Sequence, residues 1–233
     1  MATITSIAGG APKPVFDRLG PAFERASGHR LKALYDTMSG IAARVAAREA
    51  FDVLVMPVEL IEAYVADGTV RAQGRVALAD IGLAVGVKAG AAVPDVSTPD
   101  ALRRALLAAG TVVHAPPGAT PSGLHSDKVI KTLGLADALG ARVLHKAGLA
   151  GGVATIARGE AGIGIFPKSE IVNAEGVVLA GALPASLQLT IHYGAGVTAA
   201  SAAPDAAAAF IHFMIEPASR AIWNACGFDP PTA

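Results

Sequence analysis

Thr111-Val112-Val113-His114-Ala115-Pro116-Pro117-Gly118-Ala119-Thr120-Pro121-Ser122-Gly123-Leu124-His125 reads as a strand, a Gly/Pro-rich loop and the start of a helix. The strand is the apolar run Thr111–Val113. Beyond the loop, Val129, Ile130 and Leu133 recur at helical spacing. Thr120 is the expected N-cap, and Pro121 falls in the first turn, where its missing N–H costs nothing. Such a start leaves backbone N–H groups without partners. With residues as small as Ser122 and Gly123 there, an anion can approach closely.

Upstream, strand and helix alternate three times. Thr3 to Ala8 is a strand ending at Gly9-Gly10, and Phe16, Leu19 and Phe23 mark a helix closed by Gly28. Arg30 to Tyr35 is a second strand, Asp36 to Gly40 a polar turn, and Ile41 begins a helix. Phe51 to Pro57 is a buried-type strand, and Val58 to Ala66 is helical. Further along come a helix capped by Thr98, the opening stretch, a strand at Arg142–His145, a turn at Lys146–Gly152, a helix through Ala157 and a strand at Ala161–Phe166. Helices at Ala206–Ile215 and Pro217–Cys226 close the chain. Two long glycine-bearing runs, near 76–88 and 186–197, read as crossovers. The expected fold is α/β: two Rossmann-like lobes with mainly parallel sheets, joined by two crossover strands, with a ligand cleft between them. Lobe one is 1–79 plus 197–233 and lobe two is 80–196. No sequence repeat links the lobes.

The chain has 233 residues and a formal net charge of zero, so its overall field gives no pull towards nucleic acid or an anionic membrane. Its longest apolar stretches fall short of the roughly 18 residues that span a bilayer. The single cysteine, Cys226, excludes an internal disulfide. The N-terminus has no basic n-region and no apolar h-region. The chain as it stands is therefore expected to be cytoplasmic, or periplasmic if a leader has been removed.

Ligands of open α/β sheets bind beyond the carboxyl ends of the strands. The residues expected there are Ser6, Gly9 and Gly10, then Thr37, Ser39 and Gly40, then Ser122 and Gly123, Gly148 and Lys168. Hydroxyls, glycines and helix starts dominate, which suits a small anion held by neutral donors. The histidines lack metal-ligand spacing, and no Gly-x-Gly-x-x-Gly or P-loop is present, so neither a metal nor another cofactor is expected. His125 lies in the loop region and is the candidate base should the chain be an enzyme; Asp36 and a lysine are the alternatives.

Several passages resemble type II periplasmic solute-binding proteins, in the molybdate-binding branch of ABC transporters. They are Leu19-Gly20-Pro21-Ala22-Phe23-Glu24-Arg25-Ala26-Ser27-Gly28-His29, Ser39-Gly40, Phe51–Val55, Pro121-Ser122-Gly123, Ala157–Ile165 and the return strand Gln188–Gly196. The resemblance implies two lobes that hold a small ligand, with Ser6, Ser39, the amides around Ser122 and an amide from Gly148–Gly151 as donors. It also implies an ABC permease as partner if the chain is exported. A tyrosine often found in that branch after the Gly-Glu-Ala strand is replaced here by Phe166. The sequence is similar too to a side branch resembling aconitate isomerase, a cofactor-free enzyme that moves a double bond in a tricarboxylate. Two functions are therefore expected in that order: binding of a small carboxylate or oxyanion, and proton abstraction next to a carboxylate.

Overall fold

The computed structural model describes residues 1–232. In chain order it runs β1 (Thr3–Ala8), α1 (Lys13–Ser27), β2 (Arg30–Tyr35), α2 (Met38–Ala46), β3 (Val53–Pro57), α3 (Val58–Ala66) and the long β4 (Val76–Lys88). Next come α4 (Pro99–Ala108), β5 (Val112–His114), α5 (Pro121–Thr132), the single turn α6 (Ala136–Leu139) and β6 (Val143–His145). These lead to α7 (Gly152–Arg158), β7 (Ile163–Pro167), the short α8 (Lys168–Val172) and β8 (Val177–Ala182). β9 (Thr190–Val197), α9 (Pro204–Ile215) and α10 (Pro217–Ala225) follow. The chain divides into two compact units: Met1–Ile81 with the segment from Ile191 onward, and Gly82–Thr190.

In the first unit β1 is central and parallel to both β2 and β3. β3 pairs antiparallel with β9, and the strand order is β2-β1-β3-β9-β4. Every residue of β3 is buried, as expected of a parallel-sheet strand covered on both faces. Helix α1 buries Val15, Phe16, Leu19 and Phe23 on one side. Phe16 and Phe23 meet Phe210 of α9 with ring centroids 5.6 and 5.0 Å apart, a geometry that adds to plain apolar burial. α1 ends at Gly28, which adopts φ 69° and returns its N–H to the Glu24 carbonyl, a left-handed turn that a Cβ would oppose. Trp223 is buried, donates Nε1–H to the Met214 carbonyl at 3.1 Å and stands edge-on to Phe228.

In the second unit β5 is central and parallel to β6 and β7. β4 pairs antiparallel with β7 and takes β8 on its other side. The core joins Ala84, Val113, Val153, Ile156, Phe166 and Ile171. Gly164 in β7 is needed for packing, since a Cβ there would lie 2.5 Å from Ile156 Cδ1 and 2.9 Å from Phe166 Cε2.

Several local expectations shift. Helix α2 begins at Met38 rather than Ile41, because Thr37 accepts from the Gly40 N–H and draws Met38, Ser39 and Gly40 into the first turn. β9 begins at Thr190, because residues 185–187 form a 3-10 turn. α6, α8 and β8 have no counterpart in the sequence reading: α6 and α8 are too short to show a helical period, and Val177–Ala182 does not alternate cleanly. No helix among the described residues is long and apolar enough to cross a membrane.

Candidate functional site

The strands β1, β2 and β3 are parallel, so the loops after them leave the first unit on one edge. Gly9 follows β1 under a close approach: a Cβ would stand 2.8 Å from Met38 Cε and 3.2 Å from the Tyr193 hydroxyl oxygen. The Gly10 carbonyl accepts from the Lys13 N–H. Ser6 lies inside β1 and is fully buried, with no hydrogen-bond partner for Oγ among the described residues. After β2, Thr37 Oγ1 accepts from the Gly40 N–H at 3.1 Å and lies 3.2 Å from Ser39 Oγ. Asp36 leans over this helix start. Its Oδ1 accepts from the Thr37 N–H at 2.8 Å, and a Cβ on Gly40 would collide with its carboxylate.

β5, β6 and β7 are likewise parallel, so their following loops share an edge of the second unit. Thr120 Oγ1 accepts from the Gly123 N–H at 3.0 Å and lies 3.0 Å from Ser122 Oγ. Gly123 is packed beneath the carbonyls of Ala115 and Pro116, leaving no room for a Cβ. The first turn of α5 carries no acidic residue. His125 donates Nε2–H to the Leu187 carbonyl at 2.8 Å, which leaves Nδ1 as its acceptor.

After β6 the amides of Ala150, Gly151 and Gly152 are already bonded to carbonyls within the loop. A Cβ on Gly148 would collide with the carboxylate of Glu170, in the first turn of α8. Burial pushes the Glu170 carboxyl up to about 7, and among the described residues it has neither an ion pair nor a hydrogen bond. Lys168 opens α8 and is half-buried. His114 is fully buried and donates Nδ1–H to the Ala115 carbonyl at 2.8 Å, leaving Nε2 without a partner. Burial lowers its pKa, so the ring is neutral.

A four-residue correspondence stands out between the two units. Thr37-Met38-Ser39-Gly40 and Thr120-Pro121-Ser122-Gly123 are the same Thr-x-Ser-Gly pattern. Each follows a parallel strand, opens a helix and makes the same two contacts from its threonine. The signal was present in the sequence, but reading Asp36–Gly40 as a turn concealed it.

A second arrangement escaped the sequence reading. Asp80, in β4, is nearly fully buried and accepts from His192 Nδ1–H at 2.8 Å. Its other oxygen accepts from the N–H and hydroxyl of Thr232 at 3.0 and 2.6 Å. The pair lines a cavity of about 350 Å³ within the first unit, together with Val58, Glu62, Arg75 and Gly194. A lone aspartate in the otherwise apolar run Val76–Val87 was the available clue. No group of three His, Cys, Asp or Glu side chains among the described residues is placed to hold a metal ion.

Aconitate isomerase from a Pseudomonas species is 28% identical over 240 residues, covering 99% of this chain and 89% of that protein. The periplasmic molybdate-binding protein of Azotobacter vinelandii superposes with a TM-score of 0.83 at 20% identity, covering 98% of this chain and all of the other. The sulfate-binding protein SubI of Mycobacterium tuberculosis gives 0.77 at 20% identity, over 99% of this chain and 87% of the other. At these identities the two structures establish a shared fold. Residues 4–229 match bacterial extracellular solute-binding proteins, and the chain belongs to that family.

Proposed function

We propose that this chain binds a small anion, a carboxylate or an oxyanion, as a solute-binding module. The observation that carries the reading is the repeated Thr-x-Ser-Gly helix start. At each, a threonine cap fixes the first turn while amides and a serine hydroxyl remain to meet negative charge. Ser39 and Gly40, with Thr37, are the first unit's donors; Ser122 and Gly123 are the second's. Gly9 and Gly10 after β1 and Gly148 after β6 complete the set, and Lys168 adds a cation. Ser6, fully buried, is the weakest member of this set. The names of the molybdate- and sulfate-binding relatives agree with the ligand class. An ABC permease is the proposed partner, with the protein acting outside the cytoplasm.

Calorimetric titration with sulfate, molybdate, and di- and tricarboxylates tests this. Saturable binding of one class is expected, weakened at least tenfold by Ser122→Ala or Ser39→Ala. A panel that leaves no heat at any concentration sinks the reading.

A second reading is supported by the Pseudomonas relative and by the His192–Asp80 pair: a cofactor-independent isomerase of a small unsaturated polycarboxylate. Asp80 orients His192 and leaves Nε2 to take a proton, the arrangement that general bases use. His125 offers only Nδ1 and has a backbone carbonyl as its partner. Deuterium incorporation from D2O into trans-aconitate, lost in His192→Gln but not in His125→Gln, would establish catalysis and choose its base.

A further inference from the structure

We infer that Glu170 shares a proton with the bound anion, so that an anion lacking a proton of its own enters together with one proton. This deepens the anion-binding reading and rests on it. The first observation is position. Glu170 stands where β7 ends, on the edge shared by the loops after β5, β6 and β7, and its carboxylate occupies the space over Gly148. The second is its lack of partners. The other inward-facing acids are satisfied: Asp52 accepts from the Thr5 N–H and the Ser201 hydroxyl, and Asp80 from His192 and Thr232. Glu170, half-buried with carboxylate oxygens that solvent can reach, is the one of these three carboxyls with no such donor among the described residues.

Among the described residues no cation pairs with it. β7 and β8, which pack on α8, contain no titratable side chain. Lys88 of β4 lies over Gly159, and Lys146 is directed towards Gly151 and Glu160. Lys168 on its own helix and Glu175 beyond it form no ion pair with it, and burial is the cause that raises its pKa. A protonated Glu170 presents an O–H donor to an anion; a charged one repels it. Above about pH 7 the proton must therefore come from solvent, one per anion bound.

The test is calorimetry with sulfate, molybdate and trans-aconitate from pH 5.5 to 9, in pairs of buffers with different ionisation heats. For the wild type, affinity should be level below about pH 6.5 and fall roughly tenfold per pH unit above about 7.5, with uptake approaching one proton. Glu170→Gln, neutral at every pH, should bind with a level profile close to the wild type's acid-side affinity. Wild-type binding that is level across the range, or a slope that persists in E170Q, overturns the inference and leaves anion binding standing. If none of the three anions binds either protein at pH 6, the anion-binding reading falls and this inference with it. The proton count on the wild type needs no variant, so a misfolded E170Q does not protect the idea.

Discussion

The helix starts of α2 and α5 share a cap and differ in what surrounds it. At α2 the threonine-capped turn lies under a carboxylate, Asp36, attached by a flexible side chain. At α5 the same turn is pressed against backbone, the Ala115 and Pro116 carbonyls, and no acid shares its first turn. A carboxylate at a helix N-terminus already takes the interaction that a ligand anion would seek. The α2 start is therefore partly answered from within by the carboxylate that precedes it, whereas Ser122 and Gly123 of the α5 start are buried rather than capped by an acid.

The sharpest way to break this comparison is to add one methyl group to each turn. Gly123→Ala should lose about 3 kcal/mol of stability, because backbone carbonyls must move. Gly40→Ala should lose under about 1 kcal/mol, because only the end of Asp36 must swing aside. Urea unfolding of the two variants measures this, and equal losses would erase the distinction.

Glu170 over Gly148 is the second unit's nearest analogue of Asp36 over Gly40, but it has no N–H partner. Folding raises its carboxyl from 4.5 to about 7. The folded chain thus holds the proton across a window in which the unfolded chain has released it, and stability falls as pH climbs through that window. Glu170→Gln should remove the decline and gain on the order of 2 kcal/mol at pH 8, with little gain below pH 4.5. Melting curves at the two pH values check it. His114 acts oppositely: its lowered pKa costs stability as the solution is acidified below its ordinary range.

Smaller effects sharpen the cap itself. Thr37→Ala and Thr120→Ala should each cost about 1 kcal/mol, and similar values in the same denaturation assay would confirm that the two turns are equivalent. Asp36→Asn should raise anion affinity about threefold by clearing the α2 start, and unchanged affinity would mean that this start takes no part. Ser6→Ala should change stability by less than about 0.5 kcal/mol, or raise it, since its hydroxyl is buried without a partner. A loss of affinity in that variant would show that Ser6 reaches the ligand.

The fold was largely legible in the sequence, because its cues are local. Apolar runs such as Val53–Val55 stop at proline, Phe16, Leu19 and Phe23 keep helical period, and Thr98-Pro99 and Thr120-Pro121 announce helix starts. The candidate donors on α2 and α5 came from the same cues. What remained hidden depends on pairs far apart in sequence: Glu170 with Gly148, and Asp80 with His192 and Thr232. None of these residues alone announces its partner. Only the sheet order, which no local period encodes, brings them into contact.

The placement of the aromatic residues has an optical consequence. Trp223 and all three tyrosines, Tyr35, Tyr64 and Tyr193, belong to the first unit, while Phe166 is the lone aromatic among residues 82–190. Tryptophan emission and near-ultraviolet dichroism therefore watch one half of the molecule, and the other half is spectroscopically dark. A fluorescence melt of this protein records when Trp223 leaves its place beside Phe228, and a separate probe on the dark half, read alongside it, would show whether the two halves melt together.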